Sequence, residues 1–205
     1  MLSLAIDTST GISVALVAST GVIHELSLDS HGVQGEKTTA LIGELLNESG
    51  HNISEVTDLV VGVGPGPFTG LRVGIATAQA FAFARHIPTV GICSLDAIGL
   101  SYERSCIVVT DARRKEVYWA RYERGRREGP AVATPDSLVS TYPDAFFIGP
   151  AVGKYQAILD GVEMTLDAAK LVDVARSFPE LHLPLSPLYL RKPDAVEPTT
   201  RKSVL

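Results

Sequence analysis

The sequence predicts an α/β protein with two lobes, each a mixed β-sheet flanked by helices, the second lobe being reduced. Three short apolar segments joined by tight turns open the chain, and an alternation of strands and helices follows them. The second half then begins with the same pattern as the first, which indicates a weak internal duplication. Tight turns join antiparallel strands and helical crossovers join parallel ones, so each sheet should contain both kinds.

The opening segments are predicted to be strands because each is a short apolar run bounded by turn residues. Ser9-Thr10-Gly11 separates the first run from the second, and Thr20-Gly21 separates the second from the third. Such short connections predict an antiparallel meander. The predicted strands are Leu2–Ile6, which ends at Asp7, then Ile12–Ala18 and Val22–Leu28.

The alternation that follows rests on a change of hydrophobic period. Apolar residues first recur at helical spacing, and then appear in continuous runs that are too short for a helix and typical of buried parallel strands. Gly50 and Pro88 are the stop signals of the two long helices. The predicted elements are a helix from Glu36, a strand Leu59–Val63, a helix Thr69–Arg85, a strand Thr89–Cys93 and a short helix with Ser94 as its N-cap.

The second half repeats the first in shorter form. A strand ending at Asp111 and a turn lead into another strand, as at Asp7. The predicted elements are strands Cys106–Thr110, Val117–Tyr122 and Phe146–Ile148, with helices Ala151–Leu159 and Asp167–Ser177. We therefore predict an N-terminal lobe over 1–104, a reduced C-terminal lobe over 105–192 and a flexible, proline-punctuated tail over 193–205.

Composition excludes several classes of protein. The 205 residues are 45% hydrophobic and 20% charged, which is typical of a globular domain, and no apolar run is long enough to span a membrane. No basic segment precedes the first apolar run, so no export signal and a cytoplasmic location are expected. Cys93 and Cys106 lie in apolar runs and are predicted to be buried free thiols.

Charge argues against a nucleic-acid-binding protein acting alone. The net charge is −5, whereas independent tRNA binding would need a larger basic surface. One local basic cluster is interpreted as a solvated hairpin tip. It consists of Arg121, Arg124, Arg126 and Arg127.

A glycine-rich turn between a buried strand and a helix is the strongest local motif. It runs from Gly64 to Gly74 (GPGPFTGLRVG). Free N–H groups at the start of a helix can hold an anion, but glycines equally permit a tight turn and close packing of helix on sheet. The motif is not a Walker A loop, because Leu71-Arg72 stands where that loop has Lys-Ser/Thr.

Four segments taken in order resemble the successive signatures of the TsaB (YeaZ) family, proteins of tRNA threonylcarbamoyladenosine synthesis. They are Met1–Thr8 (MLSLAIDT), Gly64–Gly74, Asp111–Tyr122 (DARRKEVYWARY) and Pro187–Ala195 (PLYLRKPDA). The resemblance implies the actin-like (ASKHA) fold of sugar kinases, heat-shock ATPases and actin. It also implies a scaffold role beside the catalytic paralogue TsaD and the ATPase TsaE, which would contribute ATP and the metal ion, with tRNA bound only through the complex.

The residues themselves indicate that catalysis has been lost. Nucleotide-splitting members of this fold carry glycine after Asp-x in each lobe, so that backbone N–H groups reach phosphate. Here Ser9 and Arg113 occupy those positions. At most a vestigial nucleotide or anion site would remain, at Asp7, Thr8, Ser9, Gly64 and Gly66, with Gly149 and Gly153 as a remnant turn or a plain one.

No metal is expected in this chain. The catalytic paralogues bind metal through two histidines one helical turn apart, a spacing that none of the five histidines has. Lys37 stands where many family members have a histidine, and a protonated lysine cannot bind a metal.

The predicted helix Thr69–Arg85 suggests where a partner binds. Its glycine face, with Gly70 and Gly74, is assigned to the sheet, and the opposite face mixes apolar and polar side chains as interfaces do. The alternative is that the following helix or the chain tail covers Ile75 and Phe83. The first long helix is predicted to lie beside it and complete a contact with a TsaD-like subunit, or with a second copy in a homodimer. The predicted interface residues are Thr38, Leu41, Leu45, Arg72, Ile75, Ala76, Gln79 and Phe83.

Two enzymatic alternatives stay open at this point. A small-molecule phosphotransferase or ATPase of the same fold would turn over ATP alone, although its phosphate turns are occupied by side chains. A peptidase, suggested by the glycoprotease label of the superfamily, would need a metal pair or an activated nucleophile, and no such constellation stands out.

Overall fold

The computed structural model describes residues 1–29 and 34–191, so the predicted tail at 193–205 lies outside the described residues. The elements of its first half are β1 (Leu2–Asp7), β2 (Ile12–Ala18), β3 (Gly21–Leu28), α1 (Gln34–Ser49), β4 (Asp58–Gly62), α2 (Phe68–Arg85), β5 (Thr89–Ile92) and α3 (Ser94–Gly99). The strands form a five-stranded sheet with the order β3-β2-β1-β4-β5. The meander strands pair antiparallel, β4 pairs parallel with β1, and β5 pairs parallel with β4, as predicted.

The second sheet repeats this topology. The elements of the second half are β6 (Cys106–Asp111), β7 (Val117–Glu123), β8 (Arg126–Ala133), α4 (Pro135–Thr141), β9 (Phe147–Ile148), β10 (Gly161–Val162) and α5 (Ala168–Ser177). The strand order is β10-β9-β6-β7-β8, the same arrangement of a meander followed by parallel strands. The internal duplication is therefore confirmed, and the short β9 and β10 make the second copy the reduced one.

The last helix of each half packs on the sheet of the other half. Helix α5 covers one face of the first sheet, where alanines such as Ala5, Ala15 and Ala169 allow the helix to approach closely. Helix α3 packs on the second sheet through Leu95 and Ile98. The two sheets lie on either side of residue 104, but the exchanged helices tie the halves together, and the boundary 104/105 stays a prediction.

Two sequence-based expectations about local structure are wrong. Ser94 is not the N-cap of α3, which is Cys93, because the Ser94 hydroxyl is used by Asp7 and Gly64. The predicted helix Ala151–Leu159 is a turn with a 3₁₀ segment at Gly153–Tyr155, although its apolar residues have helical spacing. Two elements were not predicted: β8, whose sequence pattern is broken by Gly129 and Pro130, and α4, whose start is signalled by Thr134 as N-cap before a proline.

Candidate functional sites

Parallel pairing of β1, β4 and β5 brings their carboxyl ends to one edge of the first sheet, where ligands bind in open α/β sheets. Asp7 ends β1 there and is buried. Its Oδ1 accepts hydrogen bonds from the Ser9 N–H at 2.7 Å and the Ser9 hydroxyl at 2.6 Å, and its Oδ2 accepts one from the Ser94 hydroxyl at 2.6 Å. Both oxygens of Asp7 therefore have internal partners.

Burial and hydrogen bonding act in opposite directions on the Asp7 carboxyl. It raises the pKa of the Asp7 carboxyl, and the hydrogen bonds from Ser9 and Ser94 oppose the rise. The Ser94 hydroxyl also accepts a hydrogen bond from the Gly64 N–H at 3.0 Å, so the carboxylate is linked to the start of the glycine-rich turn. The arrangement holds three loops together.

The glycine-rich turn is packed against the β1–β2 turn. A Cβ added to Gly66 would lie 2.7 Å from the Ser9 carbonyl oxygen, and one on Gly74 would overlap the Thr8 hydroxyl. Thr8 in turn donates a hydrogen bond to the Gly70 carbonyl at 2.8 Å. Of the two interpretations of the glycines, this geometry favours close packing, because the backbone that would approach a phosphate is in contact with the protein's own Thr8 and Ser9.

The corresponding turn of the second lobe follows Asp111 and is exposed. Lys154 binds the Asp111 carboxylate with its Nζ 2.9 Å from each oxygen. Arg113, Arg114 and Lys115 have left-handed backbone conformations, with φ angles of 61°, 52° and 62°. Three long side chains thus occupy the turn where the nucleotide-splitting relatives need glycine.

Helix α2 is rotated relative to the predicted orientation. Gly70 and Gly74 are buried as expected, but Ile75 is also buried, at 4% exposure, in the main core. Ile75 was predicted to face a partner, and this is wrong because Leu71, Ile75 and Ala78 form the apolar stripe that packs on the sheet. Of the predicted interface residues of α2, the exposed ones are Arg72, Ala76, Gln79 and Phe83, the last at 83%.

Helix α1 lies beside α2, as predicted, but presents a different face to solvent. Thr38, Leu41 and Leu45 are buried against the first sheet and were wrongly assigned to a surface contact. Their helical spacing identified the core face of an amphipathic helix. The neighbouring Lys37 and Glu44 are exposed.

Part of the outer face of α2 is covered by the end of the described chain. Tyr189 stacks on Phe68 with ring centroids 4.9 Å apart, and its hydroxyl accepts a hydrogen bond from Arg72 Nε at 2.9 Å. Gln79 donates to the Leu185 carbonyl at 3.2 Å. The sequence offered the chain tail as an alternative cover for this face, but it did not identify these contacts, although the Pro187–Ala195 signature marked one side of them.

The basic cluster of the β7–β8 hairpin is only in part a solvated tip. Arg124 and Arg126 are exposed, but Arg127 pairs with the fully buried Asp96 of α3 at 2.5 Å. Tyr122 donates to the other oxygen of Asp96 at 2.7 Å. Nothing local in the sequence identified this buried cluster, which joins the two halves.

The remaining expectations concern thiols, metals and membranes. Cys93 and Cys106 are buried and free, as predicted, and burial raises the pKa of their thiols to about 12 and about 11. Within residues 1–29 and 34–191, no three His, Cys, Asp or Glu side chains are grouped so that they could hold a metal ion. In the same part of the chain, no helix has the length and apolar character needed to cross a membrane.

Comparison with known proteins identifies the family. Residues 15–186 match the sequence model of the family described as tRNA N6-adenosine threonylcarbamoyltransferase, TsaD. An uncharacterized protein of Mycobacterium tuberculosis, Rv3421c, is 39% identical over 94% of this chain and 92% of its own length. The tRNA threonylcarbamoyladenosine biosynthesis protein TsaB of Escherichia coli is 32% identical over 59% of this chain and 54% of its own length.

The solved structures agree with the sequence relatives. YeaZ from Pseudomonas aeruginosa superposes with a TM-score of 0.73 and 27% identity, covering 92% of this chain and 99% of that one. The inorganic polyphosphate/ATP-glucomannokinase of Arthrobacter sp. shares the architecture with a TM-score of 0.51 and 12% identity over 85% of this chain and 98% of that one, so the expected actin-like fold is confirmed. The chain spans about half the length of the E. coli TsaB protein that it matches. On these comparisons the chain belongs to the TsaB (YeaZ) family, within the broader family that TsaD defines.

Proposed function

We propose that this chain is a non-catalytic scaffold subunit of the bacterial complex that transfers a threonylcarbamoyl group onto the adenosine beside the anticodon of tRNAs that read codons starting with A. Its family membership supports this role. The observation that supports the loss of catalysis is the packing of the glycine-rich turn on Ser9, which puts the protein's own backbone against the glycines of the turn.

The alternative, a small-molecule phosphotransferase or ATPase of the same fold, finds no support in the geometry. Both oxygens of Asp7 accept hydrogen bonds from the protein itself, and Asp111 pairs with Lys154. An aspartate with internal partners is poorly placed to hold a magnesium-bound water. Arg113 also fills the position where glycine lets a backbone amide touch phosphate.

The exposed face of α2 is the surface that we propose for a TsaD-like partner. It consists of Arg72, Ala76, Gln79 and Phe83. Phe83 is 83% exposed, more than any other large apolar side chain in residues 1–29 and 34–191, and aromatic side chains are enriched in protein interfaces. Tyr189 and Leu185 border this face, Tyr189 with its ring and hydroxyl and Leu185 with its backbone carbonyl, so the rim is polar and aromatic.

The remaining parts of the proposal concern the assembly. A TsaE-like ATPase would be the third subunit, and ATP and the metal ion would be bound by the partner subunits. Without TsaD the same face of α2 would form a homodimer, and tRNA would be bound only through the complex. All of this chemistry is proposed to occur in the cytoplasm.

Reconstitution tests the proposal. The TsaD-like and TsaE-like proteins of the same genome are mixed with tRNA, ATP and the threonylcarbamoyl donor, with and without this chain. We expect modified adenosine only when the chain is present, and no appreciable ATP hydrolysis by the chain alone. Full modification without the chain, or ATP hydrolysis by the chain alone at about one per second or faster, would contradict the scaffold role.

A further inference from the structure

The turn between β6 and β7 is a left-handed loop of three cationic residues. It is closed by hydrogen bonds from the Ala112 N–H to the Glu116 carbonyl at 3.0 Å and from the Glu116 N–H to the Arg113 carbonyl at 2.9 Å. Arg113 also donates its N–H to Asp111 Oδ1 at 3.2 Å. The exposed side chains of the turn are therefore held on a fixed backbone.

The left-handed backbone conformation of this turn is unfavourable for Arg113, Arg114 and Lys115, because each has a Cβ atom. A residue with a Cβ is destabilised by about 1–2 kcal/mol in the left-handed region, where glycine is not. The β2–β3 turn uses Gly21 at a positive φ, and the β7–β8 turn has a single non-glycine residue in this region, Arg124, followed by Gly125. Three consecutive residues with Cβ atoms in this conformation, all of them cationic, indicate that the side chains have a use outside the fold.

The nearby carboxylates are already neutralised by other cations. Lys154 binds Asp111, and Arg191 forms an ion pair with Glu116. Arg114 has interactions of its own. Among residues 1–29 and 34–191, neither Arg113 nor Lys115 has a carboxylate within ion-pair distance. The turn is therefore a local positive charge on a chain whose net charge is −5.

We propose that Arg113 and Lys115 bind phosphate groups of the tRNA backbone when the tRNA is held by the complex. Guanidinium and ammonium groups on a rigid turn suit phosphate oxygens, and such contacts orient a nucleic acid without reading its sequence. The small number of cations fits a contact that supplements the binding of tRNA by a partner and would be too weak alone. The inference rests on the proposed function, because it takes tRNA to be the substrate of the assembly.

The test measures tRNA binding by the assembled complex with the TsaD-like subunit. An unmodified, fluorescent tRNA transcript that reads codons starting with A is titrated at several salt concentrations. We expect the variant R113E/K115E to bind at least about tenfold more weakly. The slope of log K against log salt should decrease in magnitude by about 1.5, the amount for two lost phosphate contacts. R124E is the matched control, since Arg124 is also exposed and left-handed but lies at the other hairpin.

A second variant separates binding from folding. R113G/K115G removes both charges and relieves the left-handed strain, so its thermal midpoint should rise by about 2–4 °C for each replaced residue. Its tRNA affinity should nevertheless fall. A variant that is both more stable and weaker in binding excludes a merely structural role for these residues.

Each remaining outcome is distinct. Unchanged tRNA affinity of R113E/K115E would overturn the proposal. Loss of complex assembly in that variant but not in R124E would also overturn it, by showing that the turn contacts an acidic protein surface. Failure of the wild-type chain to support adenosine modification in the reconstitution assay would contradict the proposed function instead. The tRNA titration does not measure modification, so the two failures are distinguishable.

Discussion

Gly66 lies so close to Ser9 that a Cβ on Gly66 would be 2.7 Å from the Ser9 carbonyl oxygen. In nucleotide-binding relatives of this fold the first turn needs glycine so that its backbone can touch phosphate. Here Ser9 stands at that position of the first turn, and Gly66 of the opposing loop lets the backbone of Ser9 approach. The two turns therefore pack directly against each other.

Gly66→Ala should therefore destabilise the protein. The added methyl group forces the two turns apart, and overpacking of this kind costs about 1–3 kcal/mol. Urea unfolding followed by circular dichroism would measure the change. Gly43→Ala is the matched control, because a Cβ at this exposed position of α1 meets nothing within 4 Å. It should raise the free energy of unfolding by about 0.5–1 kcal/mol.

Glu25 should make stability depend on pH. Burial, with the nearby Asp167 carboxylate as a further cause, raises the pKa of Glu25 to about 7 from 4.5. The folded chain thus binds a proton that the unfolded chain has released, and stability falls as pH rises from about 4.5 through 7. Glu25→Gln should remove this fall, as seen in urea midpoints at pH 5 and pH 8. Glu44→Gln, at an exposed position, should leave the difference between the urea midpoints at pH 5 and pH 8 unchanged. The same difference in Glu25→Gln as in the unaltered protein would contradict the assignment of the pH dependence to Glu25.

Aspartate at two positions of α2 separates interface from core. Phe83→Asp should abolish co-purification with the TsaD-like subunit and leave thermal stability unchanged, because Phe83 is 83% exposed. Ile75→Asp should instead destabilise the fold by about 3–5 kcal/mol, since it places an unpaired charge in the core. Val162→Asp, at an exposed apolar residue of the second lobe, is the control for pairing. Retained pairing in Phe83→Asp would show that this face is not the interface.

The sequence predicted the sheets better than the orientation of the helices. Strands such as Leu2–Asp7 are determined by short-range patterns and turn residues, and their order followed from connection lengths. Helix α2 is buried on adjacent sides, by Thr8 at Gly74 and by the core at Ile75. The glycines of α2 therefore identified the buried side that contains Gly74, but they gave no sign that the side containing Ile75 is buried as well.

Hydrophobic periodicity did not predict the contacts between segments that are distant in the sequence. The stacking of Tyr189 on Phe68 and the pairing of Arg127 with Asp96 join residues whose local sequences indicate only a loop and a hairpin. The same limit applies to the glycine-rich turn. An anion-binding turn and a turn that permits close packing would have the same glycine-rich sequence. Only the position of Ser9 against Gly66 distinguishes the two interpretations.

The buried pair of Asp96 and Arg127 joins helix α3 to the β7–β8 hairpin. Asp96 has no exposed side-chain surface, and burial raises the pKa of its carboxyl while Arg127 and the Tyr122 hydroxyl lower it. Arg127→Met removes the cation, so the folded variant will hold a proton on Asp96 where the unfolded chain does not. The variant should lose about 3 kcal/mol at pH 8 and less at pH 5, because a raised folded pKa makes stability fall as pH rises.

Two further variants complete this test, with unfolding by urea as the measurement. Arg126→Met changes an exposed neighbour on the same strand and should have little effect at either pH. Asp96→Asn combined with Arg127→Met removes both charges and keeps an acceptor for Tyr122, so at least half of the loss at pH 8 should be recovered. A loss that is independent of pH, or that the double variant does not reduce, would mean that Arg127 stabilises the hairpin by packing and not by compensating the Asp96 charge.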